Sequence, residues 1–183
     1  RSFEQGGGST NERISPISGN GISMTDNAGV RVRGMTIYGS GAYGVALGGN
    51  STGNDVASCV MYSNASGGVF IVGVNADGNR VVSNTIRGPG QTYGVRIDDG
   101  DGNVVTNNVL KRHGTAGVYM SLTAGSNSAV GNTIVSNGNY GVFMTGAGVY
   151  GNRVAGNILR GAGQQYGAAI NVGVRNVVAS NME

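Results

Sequence analysis

Tryptophan is absent from this chain, proline occurs twice, cysteine once, and acidic side chains number only 9. With Cys59 alone there is no internal disulfide, and the redox compartment cannot be read from cysteine usage. The net charge of +3 is too mild for a polyanion-wrapping domain, and no run of Lys and Arg forms a basic patch, so no nucleic-acid partner is expected. No apolar run approaches a membrane span or a signal-peptide core, so no membrane partner is expected either. Apolar residues at helical spacing are missing as well, which excludes amphipathic helices.

What is abundant is glycine, 36 of 183 residues, set in a repeat. From Asn79 the chain reads GNRVVSNTIRGPGQTYGVRIDDGD, GNVVTNNVLKRHGTAGVYMSLTAGS, NSAVGNTIVSNGNYGVFMTGAGVY, GNRVAGNILRGAGQQYGAAINVGVR and NVVASN. Asn84, Asn108, Asn132, Asn157 and Asn181 recur every 24 or 25 residues, and Ile86, Leu110, Ile134 and Leu159 each follow the ladder Asn by two. A second apolar pair comes further on: Val95 and Ile97, Val118 and Met120, Val142 and Met144, Ala168 and Ile170. A unit this short closes no core alone and must stack on its neighbours. Short alternating Val- and Ile-rich runs divided by Gly and Asn corners predict strands. The expected fold is all-β, a single-stranded parallel β-helix of about six to seven coils. Asparagines at one corner of successive coils, about 4.8 Å apart, can pair their amides and satisfy each other.

The register extends toward the N-terminus. Ile22 and Met24, Val45 and Leu47, and Val69 and Ile71 match the inward pair, while Met35 and Cys59 take the Asn position, making Cys59 a buried thiol without a catalytic neighbour. Residues 1–20, with the GGGST run, read as a tail or irregular cap, and 21–183 as the β-helix. The chain stops partway round a coil, which suggests a piece of a longer protein or a subunit with partner-covered ends.

Positions between inward residues point outward. One outward row contains Ala46, Phe70, Arg96, Tyr119, Phe143 and Ala169, and another Tyr38, Tyr62, Arg87, Lys111, Val135 and Arg160. Tyr43, Tyr93, Tyr140 and Tyr166 stand near the corner between them. Such rings either pack across strands or stack on sugars, while Arg96, Arg87 and Lys111 suit carboxylate or sulfate groups. A polysaccharide partner, preferably acidic, follows from the second alternative, with Phe70, Arg87, Arg96, Lys111, Tyr119 and Phe143 as its contacts.

Scarce acids carry information by their grouping. Asp98, Asp99 and Asp101 stand together in DDGDG, and Asp77 and Asp101 each lie two residues before a coil-opening Asn. In register, those two would stack about 5 Å apart, the separation used by retaining glycoside hydrolases. Asp77, Asp98, Asp99 and Asp101 are therefore the candidate catalytic residues. A solvated turn is the plainer alternative. A calcium loop through Asp99, Asp101 and Asn103 is another, although Val104 stands where a helix-hand loop needs Gly and its bidentate Glu is missing. No other cofactor or metal is expected. His113 reads as an exposed turn residue, or, with Lys111 and Arg112 beside it in KRHG, as a base for lyase or epimerase chemistry in which a basic side chain neutralises the uronate acid group.

The segments GNRVVSNTI, GNRVAGNIL, YGVRI and YGVFM resemble the repeats of the right-handed parallel β-helix, or pectate-lyase-like, superfamily across about residues 21–181. The resemblance implies a polysaccharide-handling protein of the kind found among lyases, hydrolases, alginate epimerases and tailspike depolymerases, extracellular or on a virion, and trimeric where tailspike-like. It implies a groove along the row with Phe70, Arg96, Tyr119 and Phe143. The catalytic motifs of these families are absent. A non-catalytic structural or adhesion module of a larger surface or virion protein is therefore the alternative.

Overall fold

The computed structural model describes residues 2–4, 13, 14 and 17–182. The chain winds into a solenoid with a strand from each coil in each of three parallel sheets. Among the described residues the first sheet has eight strands, represented by Arg31–Arg33, Arg80–Val82 and Val104–Thr106. The second has seven short strands, among them Thr36–Tyr38, Thr85–Arg87 and Val109–Lys111. The third also has seven, and it holds the longest, such as Gly67–Val72, Tyr93–Asp98 and Ala116–Ser121. Within the stretch read as tail or cap, Ser2–Glu4 pairs with Arg31–Arg33 and Arg13–Ile14 with Thr36–Ile37, so the sheets begin before Gly21.

Strict register makes the core. Ile37, Met61, Ile86, Leu110 and Ile134 form one fully buried file, and Val32, Val56, Val81 and Val105 another. Val95 pairs with Val69 and Val118, and Ile97 with Ile71 and Met120, all completely buried. Removing such a side chain from water contributes roughly 1.5–3 kcal/mol each. Because the same residue type recurs at each level, like packs on like and the interior needs no long-range sequence matching.

The expected asparagine ladder exists. Asn108 Oδ1 accepts from the backbone N and the Nδ2 of Asn84 at 2.9 and 3.0 Å, while its own Nδ2 donates to the Val81 carbonyl at 2.8 Å and to Asn132. Cys59 holds its place in this file, its amide donating to Asn84 Oδ1, and burial pushes its thiol pKa up. A second amide file runs up the corner before the first sheet: Asn54, Asn79, Asn103, Asn127, Asn152 and Asn176, each Oδ1 taking the backbone N–H of the preceding coil's Asn or, for Asn54, of Val30. The residue before each of these Asn has a left-handed backbone; at Gly78, φ is +62°, a conformation glycine adopts without a Cβ penalty. Each corner therefore combines a left-handed residue with an inward amide that satisfies the backbone groups it exposes.

A third corner, between the second and third sheets, carries a mixed file. Ser40 N donates to Asn64 Oδ1, His113 N to Asn137 Oδ1, and Asn137 Nδ2 to Gln164 Oε1. His113 is thus an interior residue, 1% exposed, and not the exposed turn residue expected from sequence. The corner geometry that points Asn64 and Asn137 inward at equivalent positions turns the imidazole inward too. Neither ring nitrogen makes a hydrogen bond of ordinary geometry, and burial lowers the pKa from 6.5 to about 4, an effect the Ile86 carbonyl only partly offsets.

Candidate functional site

The outer face of the third sheet concentrates the aromatic side chains. Backbone pairing sets Arg96 between Phe70 and Tyr119, and Tyr119 beside Phe143, as the outward row requires. Tyr43, Tyr93 and Tyr140 enter the same surface from the strand beginnings, because the alternation of the strands is interrupted at the glycine that follows each of them. At Gly94 this brings the backbone against His113 Nε2, and a Cβ there would lie 2.9 Å from it. The tyrosine before it is thereby turned outward instead of into the core.

These rings fill one another's faces. Tyr140 and Phe143 stack at 4.1 Å with planes 6° apart, Tyr43 and Phe70 at 4.6 Å, and Tyr140 and Tyr166 at 5.3 Å. The expectation of open ring faces for successive sugars changes accordingly: the stack presents ring edges and tyrosine hydroxyls, and its terminal member Tyr166 is 53% exposed. Beside Tyr166 lies a hollow of about 270 Å³, lined also by Tyr140, Phe143, Ala169, Ile170 and Asn171.

Arg96 sits at the centre of the row. Its guanidinium lies 5.1 Å from the Phe70 ring centre, 5.3 Å from Tyr93 and 5.6 Å from Tyr119, within cation–π reach of all three. It also pairs with Asp98 at 2.5 Å. Burial works against its charge, but Asp98, followed by the Tyr43 hydroxyl, outweighs this and raises the pKa above the ordinary arginine value. Desolvation moves the Tyr43 and Tyr93 pKa values up, so both remain phenols that donate and do not abstract protons.

The four candidate carboxylates fall into different settings. Asp98 is on the sheet face, 3% exposed, and accepts from Ser121 Oγ as well as from Arg96. Asp99, at a left-handed corner, accepts from Thr123 Oγ1 at 2.7 Å. Asp77 and Asp101 stack in register at the next corner, where Asp77 Oδ1 accepts from Asp101 N at 2.7 Å and Asp101 Oδ1 from Gly125 N at 3.1 Å. Tyr150, two coils beyond Asp101, reaches across Gly125 to donate to Asp101 Oδ2 at 2.5 Å. That contact raises the tyrosine pKa. Tyr150 was not among the candidate residues, although the series DGN, DGN, GSN, YGN places Asp77, Asp101, Gly125 and Tyr150 in one file. Among the described residues no group of three or more acidic, His or Cys side chains is placed to hold a metal ion.

The basic row lies on the second sheet. Arg87 pairs in register with Tyr62 and Lys111, its guanidinium 5.6 Å from the centre of the Tyr62 ring, which itself stacks on Tyr38 at 5.2 Å. Arg87 and Lys111 line a small recess with Gly88, Pro89 and Arg112. From sequence Arg112 stood only beside His113 and Lys111 in KRHG; the fold sets it at the recess with Arg87 while His113 turns inward.

A solenoid of stacked coils with inward amide files and a decorated outer sheet defines the parallel β-helix class of proteins. Within that class, residues 11–182 match the family model described as a right handed beta helix region, and the chain belongs to that family. No curated protein matches its sequence. Among solved structures, the periplasmic alginate epimerase AlgG is similar at 17% identity and a TM-score of 0.62, covering 88% of this chain and 49% of that one. A single-residue variant of AlgG superposes at a TM-score of 0.70 with 18% identity, covering 90% and 48%. The A-module of the mannuronan C-5 epimerase AlgE4 from Azotobacter vinelandii matches at 16% identity and a TM-score of 0.50, covering 97% and 63%. This chain spans about half the length of the AlgG chains, and at these identities the likeness establishes the fold.

Proposed function

We propose that this β-helix binds a polysaccharide along the outer face of its third sheet. The observation that carries the reading is the continuous file Phe70, Arg96, Tyr119 and Phe143, flanked by Tyr43, Tyr93, Tyr140 and Tyr166 and ending in the hollow beside Tyr166. Tyrosine edges and hydroxyls suit the mixed apolar and hydroxyl surface of a glycan, and the open end of the stack offers a face for a sugar ring. The fold neighbours are named as enzymes of alginate and mannuronan, which supports a polysaccharide as ligand and a periplasmic or extracellular setting. The test is affinity electrophoresis or calorimetry against a panel of acidic and neutral polysaccharides. Binding to at least one, weakened roughly tenfold by Tyr166→Ala or Phe143→Ala, is expected; failure to bind any member rejects the reading.

A second reading, degradation of the bound glycan, is favoured by the position of Asp98 on the same face as Tyr119. Asp77, Asp99 and Asp101 are the other carboxylates available to such chemistry, from the adjoining corner. Release of reducing ends or of unsaturated uronate absorbance, lost in Asp98→Asn or in Asp77→Asn and Asp101→Asn, supports it; a bound glycan left intact makes the protein a binding module.

A further inference from the structure

Arg96 is the arginine that the outward row offers to an anionic ligand, yet its charge is already matched by Asp98. The ion pairs among the described residues are Arg33 with Asp55 and Arg96 with Asp98, so Arg87, Lys111 and Arg112 have no acidic partner within ion-pair distance. All three converge on one recess of about 150 Å³ on the second sheet and its following corner. Three like charges gathered around a concavity repel each other, and a bound anion would relieve that repulsion.

The recess is built by the local chain course. Arg87 and Lys111 are adjacent in the parallel register, which places their side chains on neighbouring levels of one outward file. In this coil five residues, Gly88–Thr92, join the second-sheet strand to the third, against four, Arg112–Thr115, in the next. The extra residue carries Gly88 and Pro89 outward as a wall. Gln91, buried at the base of this turn, holds it: with its amide oriented so that both ends are satisfied, it donates to the Arg87 carbonyl at 2.8 Å and accepts from Gly68 N at 3.3 Å. On the opposite side Arg112 has a left-handed backbone, φ +64°, anchored by its N–H to the Val135 carbonyl at 3.3 Å. Arg87 is supported from below by the Tyr62 ring. The ring under its guanidinium restrains Arg87, and the tethered turn fixes the wall beside it, before any ligand arrives, which lowers the ordering cost of binding at that residue.

We infer that Arg87, Lys111 and Arg112 form an oxyanion subsite for the acidic group of a glycan, a uronate carboxylate or a sulfate ester, whose chain continues round the corner onto the third sheet. The inference rests on the polysaccharide reading above and specifies its chemical class. Planar guanidinium forks match either oxyanion, and the ammonium of Lys111 adds an undirected charge. The tyrosine-lined corner between the two sheets is the path along which the neutral part of the glycan reaches the aromatic file.

The experiment titrates the protein with an oligouronate, a sulfated oligosaccharide, a neutral oligosaccharide and inorganic sulfate at several salt concentrations. Arg87→Gln, Arg112→Gln and the double variant are titrated in parallel. All three cationic side chains reach solvent, and circular dichroism checks that the variants keep the strand signal. Tighter binding of at least one acidic glycan than of the neutral one, weakened roughly 10- to 100-fold by the double variant with a shallower salt dependence, supports the subsite. An acidic glycan bound equally by wild type and double variant overturns it while leaving the polysaccharide reading intact. Binding of inorganic sulfate alone overturns the glycan assignment, and binding of no glycan removes both. Shifts of the Arg87 and Arg112 side-chain N–H resonances on adding the acidic glycan, absent with the neutral one, give a second readout.

Discussion

Arg96 and Asp98 stand two residues apart on one strand of the third sheet, and the alternation that sends both side chains outward closes them into an ion pair at 2.5 Å. The carboxylate is nearly buried, the guanidinium is ringed by Phe70, Tyr93 and Tyr119, and Ser121 of the next coil donates to the same carboxylate. A pair held this way fixes the centre of the candidate groove before any ligand binds.

Asp98→Asn therefore leaves Arg96 surrounded by rings with its counter-charge removed. Stability in urea is expected to fall by about 1–3 kcal/mol, discounted toward the lower end because Arg96 is partly solvated. An unchanged unfolding midpoint would show that the pair contributes nothing.

The amide files predict a graded series. Asn108→Ala strips partners from the Asn84 amide groups and the Val81 carbonyl in the buried interior, at a cost of about 2–4 kcal/mol. Asn181→Ala, at a part-buried end of the same file where water replaces the lost amide, costs less than about 1 kcal/mol. Equal losses at both positions, read by equilibrium denaturation, would contradict burial as the cause.

His113 makes stability depend on pH with a defined sign. The folded state holds the imidazole neutral down to about pH 4, whereas the unfolded chain takes up its proton near 6.5. Lowering the pH through this window favours the unfolded state, and the loss approaches about 3 kcal/mol before levelling off below pH 4. His113→Asn restores an amide to the corner file, and its melting temperature is expected to vary less between pH 4 and 7 than that of the wild type.

Cys59 lies in the ladder with no exposed surface and a thiol pKa raised by burial. A thiol reagent is expected to label it in the unfolded chain and to do so at least about a hundredfold more slowly in the native protein. Rapid native labelling would mean that the coil around Cys59 opens locally.

At Gly125 a Cβ would lie 2.3 Å from the Tyr150 ring. Gly125→Ala is expected to displace that ring and break its hydrogen bond to Asp101, returning the tyrosine pKa toward its ordinary value in a spectroscopic titration.

Much of this architecture was legible in the sequence. The inward pairs, the file from Asn84 to Asn181, the outward rows and the stacking of Asp77 under Asp101 all follow from a fixed translation per coil, since equal spacing puts equal residues on one line. The second amide file was legible too, in the Asn that recurs before the first-sheet strands from Asn54 to Asn176, but Asn79 and Asn103 served there only to mark where a coil opens. Asp98 was grouped with its sequence neighbours Asp99 and Asp101, although alternation alone sets it on the face of Arg96 and turns the chain away at Asp99.

The amino-acid sequence by itself determined the period, the sheet-forming segments and which positions face in or out, because a parallel coil needs only repetition to stack. Tertiary structure alone decided that the aromatic rings cover each other, that His113 points into the core, and that Arg112 joins Arg87 and Lys111 around a recess. These depend on the sign of φ at each corner and on one inserted residue, which redirect a side chain without altering the repeat that surrounds it.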